Sequence, residues 1–148
     1  MLYWEDFKVG ETIELGSHTF TEEEIIAFAR QFDPQPFHTD PEAAKHTFYG
    51  GLIASGWHTC CIAMRCMVQH YVNRSASMGS PGVDNVRWLK PVRPGDTITF
   101  RRVILESRAS ESRPSAGLVK SSSQAVNQNG ETVLTMEGWG MFGRRPVS

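Results

Sequence analysis

The chain has 148 residues, a formal net charge of −1 and a hydrophobic fraction of 40%, which suit one globular domain over residues 1–148. Because the charges nearly balance and no basic block occurs, we expect no nucleic-acid partner. The sequence has no run of eighteen apolar residues and no basic, apolar leader, so we expect no membrane partner and a soluble, cytoplasmic protein.

The first part of the chain predicts a strand followed by a helix. Residues 11–20 have the composition of a short strand. The segment Thr21-Glu22-Glu23-Glu24 has the form of a capping box, in which the Thr21 hydroxyl accepts from the Glu24 N–H and the Glu24 carboxylate reaches back. The helix that follows should end at Asp33, because Pro34 disfavours an α conformation in the residue before it. Its apolar stripe comprises Ile25, Phe28, Ala29 and Phe32.

A segment stiffened by two prolines follows this helix and ends at His38. Pro34 and Pro36 hold the residues before them out of the α region, so the segment is expected to be extended. In an extended chain Asp33 and His38 point to opposite faces, and they can cooperate only if the segment curls near Pro36. The spacing alone favours a structural connector in which Asp33 caps the helix and His38 is half-buried.

Two further helices are predicted before the middle of the chain. Asp40 is expected to cap a short helix that begins at Pro41. Ser55 is the expected N-cap of a helix over residues 56–71. Apolar residues occupy nearly all sides of that helix, so we expect it to lie in the middle of the domain.

Two groups of residues raise the question of a metal site. The cysteines form no Cys-x-x-Cys pair and lie in the apolar helix, where a free thiol behaves as a small hydrophobe. The helix predicted between the two histidines does not arrange them as a ligand pair. We therefore expect no metal ion, and free thiols in a reducing compartment; the residues considered are Cys60, Cys61 and Cys66, and His38, Asp40 and His46.

The second half of the chain has the composition of strands. Asn129-Gly130 predicts a type I′ hairpin turn between the last two of them. Arg101-Arg102 interrupts the alternation of the longest strand and suggests a bulge. Helices followed by strands indicate an α+β fold, with an antiparallel sheet wrapped around the apolar helix. The predicted strands span residues 83–90, 97–107, 117–128 and 132–142.

Two spaced motifs resemble the signature of the MaoC-like dehydratases, which are hot-dog-fold relatives of the (R)-specific enoyl-CoA hydratases. The first is Asp33-x-Gln35-Pro36-x-His38, and the second is Gly51-x-Ile53-Ala54-x-Gly56. The resemblance also includes residues 4–10 and 90–96, so it covers nearly the whole chain. Gln35 and Ser55 depart from the family pattern, which usually has Asn and His there, although both keep a polar group.

The resemblance implies a hydratase acting on a trans-2-enoyl thioester of CoA or acyl-carrier protein, with no cofactor. Asp33 and His38 are the implied catalytic residues, and they would activate a water molecule. The helix beginning at Gly56 would stabilise the enolate-like oxygen, with Ser55 and Gln35 as further substrate-binding candidates. An exposed sheet edge and the resemblance together imply a homodimer, with each active site near the subunit junction.

Other residues near these motifs have weaker assignments. Trp57 and Trp88 could line an acyl tunnel, although the aromatic core is the favoured interpretation for each. Several basic residues could contact CoA phosphates, although a solvated surface is the default; they are Arg87, Lys90, Arg93, Arg144 and Arg145.

Two alternatives from other functional classes remain open at this point. A non-catalytic hot-dog subunit could bind acyl thioesters or pair with an active partner. A hot-dog thioesterase would release a free thiol, but thioesterases of this fold generally use differently placed carboxylates.

Overall fold

The protein contains a five-stranded antiparallel sheet in the computed structural model, which describes residues 1–147. Its strands are β1 (Thr12–Thr19), β2 (Gly82–Trp88), β3 (Thr97–Ala109), β4 (Ala116–Val126) and β5 (Thr132–Gly143). The order across the sheet is β1-β3-β4-β5-β2, and every neighbouring pair is antiparallel. β1 and β2 are therefore the two edges.

Four helices connect β1 to β2. They are α1 (Glu22–Phe32), α2 (Pro36–Thr39), α3 (Pro41–Ala44) and α4 (Gly56–His70), and short 3-10 turns occupy Trp4–Asp6 and Val72–Arg74. The predicted starts at Pro41 and Gly56 are confirmed, as is the end of α1 before Asp33. None of the described helices combines the length and hydropathy that crossing a membrane requires.

The core lies between α4 and one face of the sheet. Along β4, buried and partly exposed residues alternate, so one face of the strand points inward. The sheet and the helix contribute to a single cluster of buried side chains, which confirms the predicted α+β arrangement of an antiparallel sheet around a central helix. That cluster includes Ile62, Ala63, Cys66 and Met67 of α4 with Ile98, Phe100, Ile104, Val119 and Ala125 of the sheet.

The prediction for α1 is correct in its bounds but not in all its contacts. The Thr21 hydroxyl accepts a hydrogen bond from the Glu24 N–H at 3.2 Å. The Glu24 carboxylate does not complete the capping box, because it contacts the His18 imidazole at 2.7 Å. Phe32 is exposed, so the predicted apolar stripe ends one turn earlier than expected.

Two local predictions for the sheet are wrong. β4 and β5 do form a hairpin, but Gly130 alone in its turn has a positive φ (78°), whereas a type I′ turn requires a positive φ at Asn129 too. Residues 101–104 of β3 pair with β4 in continuous register. The register of β3 with β4 shifts between Ile104 and Glu106, and the extra residue in its pairing with β1 lies on β1, between Glu14 and Ser17.

One side of α4 is open in this chain, contrary to the expectation that the helix is enclosed all round. Trp57, Cys61 and Met64 are exposed on it. This side faces β2, because the Trp57 and Trp88 rings contact each other edge to face with centroids 5.3 Å apart. The interpretation of Trp57 and Trp88 as core residues is therefore wrong.

Candidate active site

Asp33 lies at the carboxyl end of α1, where its backbone N–H donates to the Ala29 carbonyl at 2.8 Å. Its side chain accepts two hydrogen bonds, from the Gln35 amide to Oδ1 at 2.7 Å and from the Ser55 hydroxyl to Oδ2 at 2.8 Å. Burial alone would raise the pKa of Asp33, but these two bonds and the nearby His38 imidazole outweigh it, and the pKa is lowered. The carboxylate is therefore held in its ionised form.

His38 approaches Asp33 because the segment curls at Pro36. Pro36 occupies the first turn of α2, a favoured position for proline, and this turn brings the histidine around. The His38 side chain is 5% exposed, and its Nε2 lies 3.2 Å from Oδ2 of Asp33. The curl that the sequence required for cooperation is thus present, and an entirely extended segment is excluded.

The tautomer of His38 follows from its second contact. Nδ1 lies 2.7 Å from the Ile53 carbonyl oxygen. A carbonyl can only accept, so Nδ1 carries the hydrogen, and Nε2 of the neutral ring is left as an acceptor. Two acceptors, Nε2 of His38 and Oδ2 of Asp33, consequently face the same small volume. Such a pair can share a proton, or one of its members can accept a hydrogen from a bound water molecule.

Ser55 does not have the role that the sequence predicted for it. It is fully buried and makes no side-chain cap on α4, because its hydroxyl donates to Asp33 instead. The Ser55 carbonyl accepts from the N–H groups of His58 and Thr59 at 3.0 and 3.3 Å. Among the described residues no backbone acceptor meets the N–H of Gly56 or Trp57. Both N–H groups remain available at the positive end of α4.

The indole ring of Trp88, on the distant strand β2, leaves no room for a side chain at position 56. A Cβ at this position would lie 2.4 Å from the Trp88 indole ring, closer than real Cβ contacts allow. The absence of a side chain at Gly56 lets the indole ring of Trp88 on β2 rest on the first turn of α4.

The facing acceptors and the start of α4 border one cavity of about 470 Å³. Its wall includes all the predicted site residues except Ser55, which lies behind Asp33. No pattern in the sequence indicates the Ile53 carbonyl, since every residue has one. Further lining residues that the sequence did not indicate are Phe37, Phe48, Tyr49, Thr59, Leu89 and Val133.

The basic residues considered from the sequence are mostly engaged elsewhere. Lys90 lines the cavity and pairs with Glu131. Arg93 donates to the Tyr49 carbonyl at 2.7 Å. Arg144 and Arg145 pair with Glu5 and Asp6 near the N-terminus.

Among the residues considered for a metal site, the side chains of His38 and Asp40 have other partners. Asp40 accepts from the backbone N–H groups of Glu42 and Ala43 at 3.1 and 3.2 Å, so it caps α3 as predicted. All three cysteines are free thiols. Over residues 1–147, no group of three or more histidine, cysteine or acidic side chains is arranged to hold a metal ion.

Several solved structures are similar to this chain over nearly its whole length. The MaoC-like dehydratase from Rhodospirillum rubrum has a TM-score of 0.90 at 40% identity, over 99% of this chain and 100% of its own. A protein of Archaeoglobus fulgius described as a monoamine oxidase regulatory protein has a TM-score of 0.89 at 34% identity, over 98% and 96%. The (R)-hydratase of A. caviae involved in PHA biosynthesis shares the fold, with a TM-score of 0.75 at 22% identity over 96% and 99%.

Curated relatives match shorter parts of the chain. The uncharacterized protein YdeM of Bacillus subtilis (strain 168) is 28% identical over 94 residues, which are 64% of this chain and 67% of that protein. The mesaconyl-CoA hydratase of Cereibacter sphaeroides is 37% identical over 62 residues, or 42% of this chain. The match spans only 18% of that hydratase.

The family model described as MaoC like domain matches residues 6–126. This range contains both motifs, the Asp33–His38 pair and the whole of α4. It covers well over half of the chain, and the solved structures agree with it in fold. The chain therefore belongs to the MaoC-like domain family.

Proposed function

We propose that this protein is a hydro-lyase that adds water reversibly to the double bond of a trans-2-enoyl thioester, giving an (R)-3-hydroxyacyl thioester. One observation carries the proposal: Nε2 of His38 and Oδ2 of Asp33 lie 3.2 Å apart, at the wall of a cavity that also reaches the start of α4. The (R)-hydratase and mesaconyl-CoA hydratase among the similar proteins support the reaction class.

Asp33 and His38 activate the water. A water molecule that donates a hydrogen to one member of the pair has an oxygen lone pair free to attack Cβ of the enoyl group. His38 takes a proton on Nε2, while the Ile53 carbonyl holds the ring through Nδ1. Asp33, ionised and held by Gln35 and Ser55, orients the water and stabilises the imidazolium that forms.

The same pair completes the addition. As the C–O bond forms at Cβ, the electrons of the double bond move to Cα and to the thioester oxygen. The proton held by the pair is then delivered to Cα from the side on which water attacked, so the addition is syn. The N–H groups of Gly56 and Trp57 meet the developing oxygen charge at the positive end of α4. Loss of one such donor costs an enzyme about 2.7–4 kcal/mol.

The cavity also suits an acyl group. Phe37, Ile53 and Val133 give it apolar walls beside the polar end. We propose an acyl-CoA or acyl-carrier-protein thioester as substrate, handled by one domain without a cofactor. The free thiols fit a reducing compartment such as the cytoplasm.

We further propose that the chain works as a homodimer. β2 is an edge strand that is almost wholly exposed. Its surface adjoins the open side of α4, because the rings of Trp88 and Trp57 are in contact. An exposed strand edge beside an apolar surface favours pairing with a second chain. Because Trp57 and Trp88 also line the cavity, each active site would lie next to the junction.

The direct test is a hydration assay that follows loss of the enoyl-thioester absorbance with short, medium, branched and dicarboxylic enoyl-CoAs. We expect saturable hydration of at least one of them. Asp33→Asn and His38→Ala should each lower kcat/KM by about 10²–10⁴-fold, as is typical for an acid–base group. His46→Ala removes an exposed histidine that does not line the cavity, and it should leave the rate unchanged.

Other outcomes of this assay separate the alternative functions. An acyl-thioester-binding subunit would bind the enoyl-CoAs without turnover, and wild type would equal both variants. The Archaeoglobus protein, with its regulatory description and 34% identity, makes this the second candidate. A thioesterase would release CoA thiol, which a thiol-reactive dye detects in the same samples.

A further inference from the structure

One segment of the active-site wall has almost no hydrogen bonds of its own. Residues 48–51 carry Phe48 and Tyr49, which both line the cavity. Among the residues that the structure describes, the only backbone hydrogen bond of this segment runs from the Gly50 N–H to the Thr47 carbonyl at 3.0 Å. Phe48 is 97% exposed, so burial does not hold the tip of the segment either. Gly50 has a positive φ of 67°, and glycine loses more conformational freedom on ordering than any other residue.

A side chain from the second half of the chain supplies the missing contact. Nη2 of Arg93 donates to the Tyr49 carbonyl at 2.7 Å. Over residues 1–147 this is the one hydrogen bond that joins residues 48–51 to a distant part of the chain. A charged donor makes a stronger hydrogen bond than a neutral one. Within the same range no carboxylate lies at ion-pair distance from the guanidinium, so an ion pair does not account for this arginine.

Arg93 reaches Tyr49 from a rigid turn. The Arg93 N–H donates to Oδ2 of Asp96 at 2.9 Å, and the Arg93 carbonyl accepts from the Asp96 N–H at 3.0 Å. The preceding Val92 is 4% exposed, and its carbonyl accepts from the Ala54 N–H at 2.8 Å. The turn is therefore fixed both to the core and to the residues that lead into α4. Arg93 extends this fixed position to a segment that has few contacts of its own.

The Tyr49 carbonyl belongs to an aromatic wall, formed by Phe37, Phe48 and Tyr49. The Tyr49 ring contacts Phe48 with centroids 5.4 Å apart and Phe37 with centroids 5.3 Å apart. Phe37 in turn contacts the His38 imidazole at 4.6 Å. All four side chains line the cavity. A molecule that enters the cavity therefore meets rings whose position depends on the hydrogen bond from Arg93.

We propose that Arg93 is a positioning residue for substrate binding, because it fixes the aromatic wall against which the acyl thioester packs. The inference rests on the proposed function, which makes the thioester the ligand of this cavity. Arg93 does not line the cavity, so it acts through Tyr49. Without Arg93 the substrate must order residues 48–51 as it binds, and the entropy lost in that ordering lowers the affinity. The Asp33–His38 pair is held by Ser55 and Ile53, so the chemical step is affected less.

Arg93→Met tests this role, because it keeps an apolar stem and removes the donor. Isothermal titration calorimetry with butyryl-CoA, which has no double bond to hydrate, measures binding without turnover. We expect a loss of about tenfold in affinity. In the hydration assay KM should rise by a similar factor, while kcat changes by less than about threefold.

Two further variants frame this result. Arg101→Met is the matched control, because it removes an exposed guanidinium that donates to Gln124 on the sheet, and it should bind as wild type does. Arg93→Lys keeps a charged donor and should recover part of the affinity. It also serves as the test if the methionine variant does not fold.

Butyryl-pantetheine separates this role from a direct contact of Arg93 with the phosphates of CoA. It carries the same acyl group and thioester without the nucleotide. A residue that fixes the wall should change the affinity for both thioesters by the same factor. A residue that contacts phosphate would change the affinity for butyryl-CoA alone.

NMR gives a readout that requires no ligand. The ¹H–¹⁵N heteronuclear NOE of Phe48, Tyr49 and Gly51 should be lower in Arg93→Met than in wild type, because the released segment moves on the ps–ns timescale. Unchanged NOE values, equal affinities of wild type and Arg93→Met, or a loss confined to butyryl-CoA would each overturn the proposal. A wild type that binds neither thioester, while the NOE values still fall in the variant, would overturn the proposed function and with it the role in substrate binding, but not the fixing of the segment by Arg93.

Discussion

At the scale of single residues, Oδ2 of Asp33 is the atom of the candidate site that contacts both Ser55 and His38. It accepts from the Ser55 hydroxyl at 2.8 Å and faces Nε2 of His38 at 3.2 Å. A carboxylate that accepts hydrogen bonds from its surroundings stays ionised to lower pH. The pKa of Asp33 therefore depends on the hydrogen bonds from Gln35 and Ser55, which together with His38 outweigh the effect of burial.

Ser55→Ala should consequently raise the pKa of Asp33. The variant loses one hydrogen bond that stabilises the carboxylate, whereas burial still disfavours the charge. Asp33 is therefore protonated at higher pH than in wild type. The acidic limb of the profile of kcat/KM against pH, which reports free-enzyme pKa values, should move to higher pH.

The matched control is Ser122→Ala on β4, which removes a hydroxyl that does not line the cavity and should leave the profile in place. An acidic limb in Ser55→Ala that coincides with wild type would contradict this role of Ser55.

His58 gives a second prediction at this scale, concerning stability. It is buried between Phe20 and Phe28, stacks on the latter with a centroid distance of 4.7 Å, and its Nδ1 has no partner within residues 1–147. Burial lowers its pKa, with the Glu24 carboxylate opposing this in part. The folded protein therefore binds this proton less readily than the unfolded chain, and stability is lost as the pH falls below about 6.5.

His58→Phe should reduce that pH dependence. In denaturant unfolding between about pH 7.5 and 5, the free energy of unfolding of the wild type should fall more steeply with decreasing pH than that of the variant. Each unit by which the folded pKa is lowered is worth about 1.4 kcal/mol. Exposed His46→Phe is the control, and it should follow the wild-type curve. If the unfolding free energies of wild type and His58→Phe change with pH in parallel, His58 is not the cause of the pH dependence.

At the scale of elements, the contact between β2 and α4 is the one that the sequence could not predict. The sequence predicts both segments and the motif that contains Gly56. The reason for the glycine lies in Trp88, which is far along the chain and meets it only after the sheet has formed. Ser55 illustrates the same limit, since a local capping rule predicted its role and a long-range bond to Asp33 replaced it.

Gly56→Ala should therefore act through Trp88. The added methyl group forces the indole ring away from α4, at a cost of about 1–3 kcal/mol in unfolding free energy, and it moves the ring within the cavity, which lowers kcat/KM. Gly51→Ala is the control, because a Cβ there lies at an ordinary 3.4 Å from the Arg93 guanidinium.

A double-mutant cycle with Trp88→Leu isolates the contact. The stability cost of Gly56→Ala should be smaller in the Trp88→Leu background by about 0.5–3 kcal/mol, the usual range for residues in contact. Additive effects would mean that backbone preference, and not the indole ring, requires glycine at this position.

At the scale of the whole molecule, hydrophobic periodicity predicts the helices and strands well. It predicts less well which of their faces this chain buries. Alternation in β4 and the apolar pattern of α4 suffice for a sheet around a helix. The same pattern led to the expectation that α4 is buried on every side, whereas Met64 and Cys61 are exposed in one chain. A hydrophobic pattern indicates that a surface will be buried. It does not show whether the same chain or a second chain buries that surface.

The proposed dimer offers a prediction at this scale. Val83 on β2 and Val9 in a loop have similar exposure, 58% and 61%, so the same substitution can be compared at both. Val83→Lys should shift sedimentation velocity from a dimer toward a monomer at micromolar concentration, because a charge on an edge strand opposes pairing. Val9→Lys should sediment as wild type does. A monomeric wild type would exclude the dimer outright.

The edge-to-face pair of Trp57 and Trp88 has an optical consequence. Both indoles border the cavity about 5.3 Å apart at their centroids, and Trp88 rests on the turn that would receive the thioester. An arriving acyl group must alter the polarity around these fluorophores. Their intrinsic emission therefore supplies a label-free signal of occupancy, and stopped-flow mixing can time arrival separately from the chemical step.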